Sequence, residues 1–419
     1  VGSEMCIRDS LYSYATGTFS SRRIEQSTYD SVPVRLLTAD THPDHDTLCT
    51  FRRANQALLS ESFVKVLQLA QELKLLQVGQ LTVAADGTKV LANASKHSAV
   101  SYQRAGEMMA ELELEVQQLL TKAEQADSTP LQEGLTIPDE IVRREARKAA
   151  LAKARAAIEA RAHARYTAQL AEHEAKLAER VAKAARGEPV RGKVPAAPTP
   201  TPDPKDQYNF TDAESRIMKA GSGQHFEQSY NAQAAVEVDS RLIVGARVSP
   251  SPNDKQELVP TLAAIPVEAG SVSAALVDSG FFSAAAVSAV EQRADGTPSG
   301  TMVYAAVEKT GHHRSVSDLE VQPEPALPPA GASAKEVMRH RLKTPAGKAL
   351  YKLRQQTVEP VFGIIKSVLG FRQFLLRGLA KVSLEWTLVC LAYNLKPVSY
   401  THLRAHETDS YLVCRLLLE

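Results

Sequence analysis

A long helical tract divides the chain between two regions whose sequence favours strands. Residues 98 to 186 are rich in Ala, Glu, Lys and Arg, which predicts two long antiparallel helices. The segment VPAAPTPTPDP then ends the helical pattern and predicts an extended proline-rich linker. Strand-like sequence lies on both sides, at residues 81 to 94 and again from residue 207. Any sheet built from both regions must join strands that are distant in sequence.

The region before the first strand-like segment, residues 11 to 80, is predicted to be a small helical domain. Phe63, Val66 and Leu67, followed by further leucines, recur at helical spacing after a serine-rich start. The period changes at residues 81 to 94, LTVAADGTKVLANA, where β-branched and small apolar residues alternate around an Asp-Gly pair. This pattern predicts a strand, a turn and a second strand.

The region from residue 207 predicts the rest of an α/β sheet. A hairpin with an Asp-Ser turn is followed by a helix, a short strand that ends at Asp278, a second helix and another strand. A proline-rich loop at 321 to 332 and a basic helical region at 335 to 396 complete an order that is typical of mixed strand directions. Because the residue before a proline avoids α geometry, Pro360 predicts a helix start or a kink between residues 357 and 360.

Composition excludes several classes of protein. Hydrophobic residues make up 44% and charged residues 23% of the 419 residues, which excludes wholesale disorder. No run approaches the roughly 18 apolar residues of a membrane span, and the first thirty residues lack the apolar core of a signal peptide. The chain is therefore expected to be cytoplasmic, without a membrane partner. The four cysteines lie far apart, so neither a disulfide framework nor a zinc site is predicted.

The two ends of the chain differ in pattern from the sequence beside them. Residues 1 to 10, VGSEMCIRDS, and 397 to 419, PVSYTHLRAHETDSYLVCRLLLE, resemble translated adapter sequence at the ends of gene fragments. We therefore expect both segments to be foreign, to bury no designed apolar surface and to contact the core weakly. The remaining residues, about 386 of them, are expected to form the native fold of a gene fragment.

Three acidic residues occupy positions at which structure alone has no need of a carboxylate. Asp86 follows the apolar segment LTVAA, Asp278 ends the apolar strand AALV, and Glu359 lies in a basic helical region. Taken singly, they fit a turn residue, a strand-end surface residue and a solvated helix residue. In an α/β sheet, however, ligands gather at the carboxyl ends of strands. Converging carboxylates repel one another, and a hard divalent cation such as Mg²⁺ or Mn²⁺ relieves that repulsion.

Positive charge is concentrated in two regions, although the net charge is only +1. Residues 141 to 193 contain 14 Lys and Arg against 6 Asp and Glu, a surplus that fits a solvated helix face and a DNA contact equally well. Residues 335 to 396 contain 12 Lys and Arg against 3 Glu. This second surplus surrounds a candidate catalytic acid, where a phosphodiester substrate would need cations. The candidate contacts to a DNA backbone are Arg372, Arg377 and Lys381.

The sequence around the three acids contains a set of segments that recur together in a known family. They are ADGTKVLANASKH, QYNFTDAESRIMK, QSYNAQAAVEVDSRLIV, VDSGF and YKLRQQTVEPVFGIIKSVLGFRQFLLRGL. With them the chain, between its two ends, resembles the DDE transposases of bacterial insertion sequences, which have a ribonuclease-H-like catalytic core. The last segment is the most specific, because Tyr351, Arg354, Glu359 and Lys366 resemble the Y-R-E-K signature. Four residues separate Arg354 from Glu359, where the best-known branch has three, so the chain resembles a sister branch.

The resemblance implies a role for each of these residues. The acids Asp86, Asp278 and Glu359 would be catalytic and would hold two ions, Mg²⁺ or Mn²⁺, that activate a water or a 3′ hydroxyl. The other three signature residues would bind DNA phosphates near the cut. A ribonuclease-H-like catalytic domain would consist of residues 81 to 97 and 207 to 396. The stretch from 98 to 206 would be a helical insertion and linker, and residues 11 to 80 an amino-terminal domain that recognises DNA ends.

Three functions remain as hypotheses. The first is a DNA transposase that cuts at insertion-sequence ends and transfers the 3′ end to target DNA, as a homodimer or higher oligomer that associates with the nucleoid when bound to DNA. The second is a catalytically inactive DNA-binding or interaction protein. The third is a stand-alone nuclease of ribonuclease-H-like fold, which would cleave and never join strands. Loss of metal-dependent nicking when one acid is replaced separates the second from the others.

Overall fold

The computed structural model describes residues 2–77, 79–125, 131–132, 135–185, 187, 193–219, 225–293, 295–307, 326–329 and 332–405. It divides into two compact units, Val1–Asn93 with Met218–Glu419, and Ala94–Ile217. The predicted insertion at 98 to 206 lies within the second unit. The predicted helical domain at 11 to 80 lies within the first, with most of the sheet, so a domain boundary at residue 80 stays a prediction. Most of the predicted proline-rich loop lies outside the described residues.

The sheet is mixed, as the order of predicted elements indicates. The strands are β1 (Gln80–Leu91), β2 (Ala99–Ser101), β3 (Gln207–Asn209), β4 (Arg216–Lys219), β5 (Phe226–Glu237), β6 (Ile243–Ser249), β7 (Ser271–Val277) and β8 (Met302–Ala305). In the main sheet β4, β5, β1, β7 and β8 follow one another, and β6 also pairs with β5. β1 is antiparallel to β5 and parallel to β7, which is parallel to β8. The β5–β6 hairpin turns at Asp239 and Ser240, which confirms the predicted Asp-Ser turn.

The strand β1 corrects the prediction of a turn at Asp86 and Gly87. It is one continuous strand, in which Asp86 pairs with Ala234 and Gly87 pairs with Gln233 of β5. An Asp-Gly pair favours a turn where the backbone has no ladder to join. Here β1 pairs with β5 along most of its length, so the ladder supplies partners for its backbone N–H and C=O groups. Asp86 therefore lies inside a strand and does not follow one.

The helices cover both the amino-terminal region and the sheet. They are α1 (Gly2–Ala15), α2 (Ser21–Asp30), α3 (Val32–Leu37), α4 (His45–Ala54), α5 (Gln56–Glu72), α6 (Tyr102–Glu124), α7 (Ile137–Ala185), α8 (Leu258–Ala263), α9 (Ala284–Glu291), α10 (Ala334–Lys343), α11 (Pro345–Gly363) and α12 (Leu379–Ala405). Helix α5 buries Phe63, Val66 and Leu67 at the predicted helical spacing. Within the described ranges, no helix is long and apolar enough to cross a membrane.

Helix α11 excludes one of the two alternatives predicted between residues 357 and 360, a helix start, while a kink there stays a prediction. It begins more than ten residues earlier, where the Thr344 side chain caps the first turn, and it continues through Pro360. One π-helical turn, Ile364–Val368, follows its last residue. A proline inside a helix costs about 3 kcal/mol. The burial of Val358 and Val361 beside it offsets this cost, since each buried aliphatic side chain contributes about 1.5 to 3 kcal/mol.

A buried carboxylate fixes α12 against the amino-terminal helices. Glu385 accepts hydrogen bonds from the backbone N–H groups of Leu375 and Leu376, both at 3.0 Å, and from the hydroxyl of Tyr14 at 3.3 Å. Arg52 of α4 donates to the same hydroxyl at 2.9 Å. Burial raises the pKa of Glu385, and the bonds from the two backbone N–H groups and the charge of Arg52 oppose that rise. Helices α1, α4 and α12 are thus joined by one buried polar network.

Parts of both predicted foreign segments belong to helices of the first unit. Helix α1 continues past residue 10, and Asp9 and Ser10 are fully buried. Helix α12 continues past residue 397, and Val398 is fully buried. The expectation of weak contact with the core is therefore wrong for these described residues. Neither carboxylate oxygen of Asp9 nor the hydroxyl of Ser10 has a hydrogen-bond partner among them, and burial raises the pKa of Asp9 to about 6.

The second unit contains the two antiparallel helices that the sequence predicts. Arg144 of α7 donates to Glu115 of α6 at 2.7 Å, and Tyr102, at the start of α6, donates to Glu159 of α7 at 2.7 Å. Residue numbers rise along one helix as they fall along the other, so the pair is antiparallel. Its buried core consists of Val100, Ala105, Leu112, Leu151 and Ala154.

Candidate active site

Asp86 and Asp278 lie side by side where β7 ends against β1. The strands are parallel, and Ala85 is the partner of Val277, so the two acids directly follow a matched pair. Asp278 has extended backbone angles, φ −75° and ψ 166°, which continue the strand by one residue. Because side chains alternate along a strand, residues at matched positions in this register share a face. The fold therefore brings two of the three predicted acids together.

The Asp86 carboxylate is partly buried and charge-paired. Its Oδ2 accepts a hydrogen bond from Nη2 of Arg354 at 2.8 Å, and its Oδ1 accepts one from the backbone N–H of Gly87 at 2.8 Å. Burial raises the pKa of Asp86 to about 6, and the negative charges of Asp278 and Asp254 add to the rise. Arg354 and the Gly87 N–H act in the opposite direction. The pKa stays raised although Arg354 is present, so a second positive charge beside Asp86 would stabilise its ionised form.

Arg354 connects Asp86 to Glu359. Its side chain is only 8% exposed, and its Nη1 lies 3.9 Å from Oε1 of Glu359, whose side chain is 56% exposed. Five positions along an α-helix correspond to a rotation of about 140° around the axis. The spacing of Arg354 and Glu359 therefore turns Glu359 away from the buried face on which Arg354 lies.

Tyr351 and Lys366 attach α11 and the following π-helical turn to the sheet. The hydroxyl of Tyr351 donates to the carbonyl oxygen of Val277 at 3.1 Å, directly before Asp278. Nζ of Lys366 donates to the carbonyl oxygen of Lys89 at 2.8 Å. Burial raises the pKa of Tyr351 and lowers the pKa of Lys366. Both residues were predicted to bind DNA phosphates, and in this structure both bond main-chain carbonyl groups.

The other predicted DNA contacts lie beyond this cluster. Nε of Arg372 donates to the carbonyl oxygen of Lys366 at 3.1 Å, and Nε of Arg377 donates to that of Asn93 at 2.9 Å. Arg372, Arg377 and Lys381 are all exposed. Their placement leaves positive charge at the surface next to the candidate site, and their roles toward DNA stay predictions.

The oxygen atoms of Asp86 and Asp278 fit a hard divalent cation by their chemistry. Within the part of the chain that the structure describes, no group of three or more His, Cys, Asp or Glu side chains is arranged to hold a metal ion. Among the described residues, Glu359 is linked to Asp86 through Arg354, which lies between the two carboxylates. Two of the predicted ligands are therefore assembled, and the third is not.

Sequence reasoning missed a fourth acid, Asp254, and the two amides that hold it. Asp254 lies in the loop after β6 and accepts hydrogen bonds from Asn231 and Gln233 of β5. A signal was available, because Asn231 and Gln233 alternate with Ala232 and Ala234 in β5, and amide side chains are unusual where small apolar neighbours indicate a buried strand. Nothing local indicated that Asp254 itself would meet them.

A comparison with protein families identifies part of this site. Residues 321–398 match a family model described as a transposase DDE domain. The matched range contains all of α11, the π-helical turn and most of α12, and it supports a DDE-type transposase. A transposase domain implies DNA as a partner. No curated protein matches the chain, and no solved structure does.

Proposed function

We propose that the chain is a DNA transposase that cuts at insertion-sequence ends and transfers the 3′ end to target DNA. One observation carries the proposal: Arg354, inside the family-matched segment, bonds Asp86, which lies beside Asp278 in the register of β1 and β7. The matched helix is thus docked on the strand positions that bear the two predicted aspartates. A homodimer or higher oligomer would be needed to hold two DNA ends together.

The sheet supports a ribonuclease-H-like core as part of this proposal. An antiparallel pair, β5 and β6, lies beside the parallel strands β1, β7 and β8. In this sheet β7 ends beside the middle of β1, where Val277 pairs with Ala85. Asp86 and Asp278 are the next residue of each strand segment. The two strands come from opposite sides of the second unit in sequence.

Asp86, Asp278 and Glu359 would hold the divalent ions. Bound there, Mg²⁺ or Mn²⁺ in a two-ion arrangement would stabilise the oxygens of a phosphodiester and make a water or 3′ hydroxyl more acidic. Asp86 must be ionised to act as a ligand. Its pKa of about 6 leaves it largely ionised above pH 7.

The basic residues would hold the DNA strand at the reacting phosphate. Arg354 presents a planar guanidinium that bonds a carboxylate here and would bond a phosphate equally well. Arg372, Arg377 and Lys381 are exposed on the segment that follows α11 and would neutralise neighbouring phosphates. Lys366 and Tyr351 would act closer to the acids, since both already contact strands that bear them.

Strand cleavage and joining distinguish this proposal from its alternatives. The DNA that flanks the gene is first recovered and searched for terminal inverted repeats. A duplex that carries such repeats is then incubated with the full chain, Mg²⁺ and a target plasmid. Nicking followed by joined product is the expected result. Nicking without joining would indicate a stand-alone nuclease, and binding without nicking an inactive DNA-binding protein.

Single substitutions in the same experiment test the catalytic role of each acid. Asp86→Asn, Asp278→Asn and Glu359→Gln should each reduce nicking by at least about 100-fold, as loss of a principal electrostatic group does. Asp239→Asn removes the same charge from the exposed turn after β5 and should leave nicking unchanged. Full activity of Asp86→Asn or Asp278→Asn would contradict the proposal.

A further inference from the structure

Asp254 is packed between the main-chain segments that carry Asp86 and Asp278. A Cβ atom placed on Gly87, the residue after Asp86, would lie only 2.7 Å from Oδ1 of Asp254. One placed on Gly280, two residues after Asp278, would lie 3.8 Å from Cβ of Asp254. Glycine at position 87 therefore leaves room for this carboxylate on the face of β1 opposite the Asp86 side chain, because successive side chains of a strand alternate. Gly280 lies at ordinary contact distance from it.

Two neutral donors hold Asp254 in place. Nδ2 of Asn231 and Nε2 of Gln233 each donate to Oδ1 of Asp254 at 2.7 Å, and both side chains are fully buried in β5. Amide donors stabilise the ionised carboxylate without cancelling its charge. The nearby cation, Nζ of Lys89, lies 3.8 Å from Oδ1 of Asp254, so it offsets that charge in part.

The same cluster contains buried oxygens that have no donor. Oδ1 of Asn231 and Oε1 of Gln233 have no hydrogen-bond partner in the described part of the chain. Oδ1 of Asn231 lies 2.6 Å from the Cβ position of Gly87, so it faces the space that Asp254 also faces. A buried acceptor without a donor is destabilising. These carboxylate and amide oxygens therefore place negative potential across the backbone of β1 from Asp86, which favours a cation on the Asp86 side.

We propose that the negative charge of Asp254, on the opposite face of β1, raises the affinity of Asp86 and Asp278 for a divalent cation. The inference rests on the proposed function, because it assumes that these two residues bind such a cation. Asn231 and Gln233 fix the position of the Asp254 carboxylate by hydrogen bonds, and Gly87 leaves space for it. The competing role, a purely structural anchor for the loop after β6, needs the hydrogen bonds of Asp254 and does not need its charge.

Charge and hydrogen bonding are separated by Asp254→Asn. The variant keeps an oxygen that accepts from Asn231 and Gln233 and loses one unit of negative charge. Mn²⁺ binding to the full chain, measured by calorimetry without DNA, should weaken about 10-fold, as expected for a unit charge acting on a divalent ion over several ångströms. Asp239→Asn is the matched control and should bind Mn²⁺ like the wild type. Lys89→Gln should bind more tightly by a few-fold, because it removes the charge that offsets Asp254.

Each result decides the inference. Weaker binding by Asp254→Asn and tighter binding by Lys89→Gln support it, and if Asp254→Asn does not fold, the direction of the Lys89→Gln effect decides alone. If Asp254→Asn binds Mn²⁺ like the wild type while Asp86→Asn does not bind, the inference is overturned and the proposed function stands. If the wild type itself binds no Mn²⁺, the cation chemistry of the proposed function is overturned and the inference with it.

Discussion

Arg354 and Asp86 form a buried ion pair in which each charge depends on the other. The guanidinium is almost fully buried, and Asp86 has one oxygen on it and the other on a backbone N–H. Removing one member of a buried pair leaves an uncompensated charge, which is costly, whereas removing both is often close to neutral. The pair is therefore a stabilising contact of the free protein as well as a candidate catalytic feature.

Arg354→Ala is expected to lower the free energy of unfolding by about 3 kcal/mol at pH 7.5, and Arg354→Ala with Asp86→Asn by clearly less. Arg35→Ala is the control, since Arg35 and Asp40 form an ion pair of the same length, 2.8 Å, on the surface. That change should leave the free energy of unfolding almost unchanged, because an exposed ion pair is screened by solvent. Urea unfolding measures all three, and an equal loss in the single and double variants would show that the pair is not coupled.

Asp9 makes stability depend on pH. Burial holds its folded-state pKa at about 6, above the usual 3.8, so the native state binds its proton more tightly than the unfolded chain does. The free energy of unfolding should therefore fall as the pH rises from about 4 to 6. Asp9→Asn should stabilise the protein by about 1 kcal/mol at pH 7.5 and not at pH 3.5. Unfolding curves at both pH values test this, and destabilisation at pH 7.5 would contradict it.

Among the elements, those with regular spacing were predictable and those decided by distant neighbours were not. The β5–β6 hairpin, β7 and α5 each follow a period or turn signal within their own sequence. Asp-Gly in β1 and Pro360 in α11 are local signals that a paired strand and a buried helix face overrode. The position of Asp278 at a strand end could be predicted, but its alignment with Asp86 required the register of β1 and β7.

Pro360 gives a direct test of how strongly packing overrides local preference in α11. Pro360→Ala restores a helical N–H, although it also gives the unfolded chain more freedom. We expect a net gain of about 1 to 2 kcal/mol in the free energy of unfolding. A loss of stability would mean that the surroundings of Pro360 require the proline ring. Denaturant unfolding beside the wild type is sufficient.

At the scale of the whole molecule, the chain contains a unit that is closed by its own pair of strands. In the second unit β2 pairs with β3, and Ser101 is the partner of Gln207. The ends of the stretch between them are therefore adjacent, as required of an insertion that leaves and returns at one place. Asp254 and the acids of β1 and β7 belong to the first unit. That arrangement came from long-range pairing, which no local pattern in the sequence indicates.

Removal of residues 102 to 206 should leave the first unit folded. Because Ser101 and Gln207 are direct partners, a two-residue Asn-Gly turn can join them as a hairpin. The shortened chain is expected to keep a cooperative thermal transition and the fluorescence of Trp386, which is buried in the first unit. Loss of cooperative unfolding would show that the sheet depends on the second unit.

The central claim is that Asp86 and Asp278 bind one divalent cation together, and localised cleavage of the chain tests it most directly. Fe²⁺ takes the place of Mg²⁺ at oxygen ligands, and with ascorbate and peroxide it cuts the backbone nearest to it. The account predicts backbone cuts close to residues 86 and 278, and Mg²⁺ should suppress them. Both cuts should disappear in Asp86→Asn and persist in Asp239→Asn. Cuts at unrelated positions, or cuts at residue 278 that survive Asp86→Asn, would contradict it.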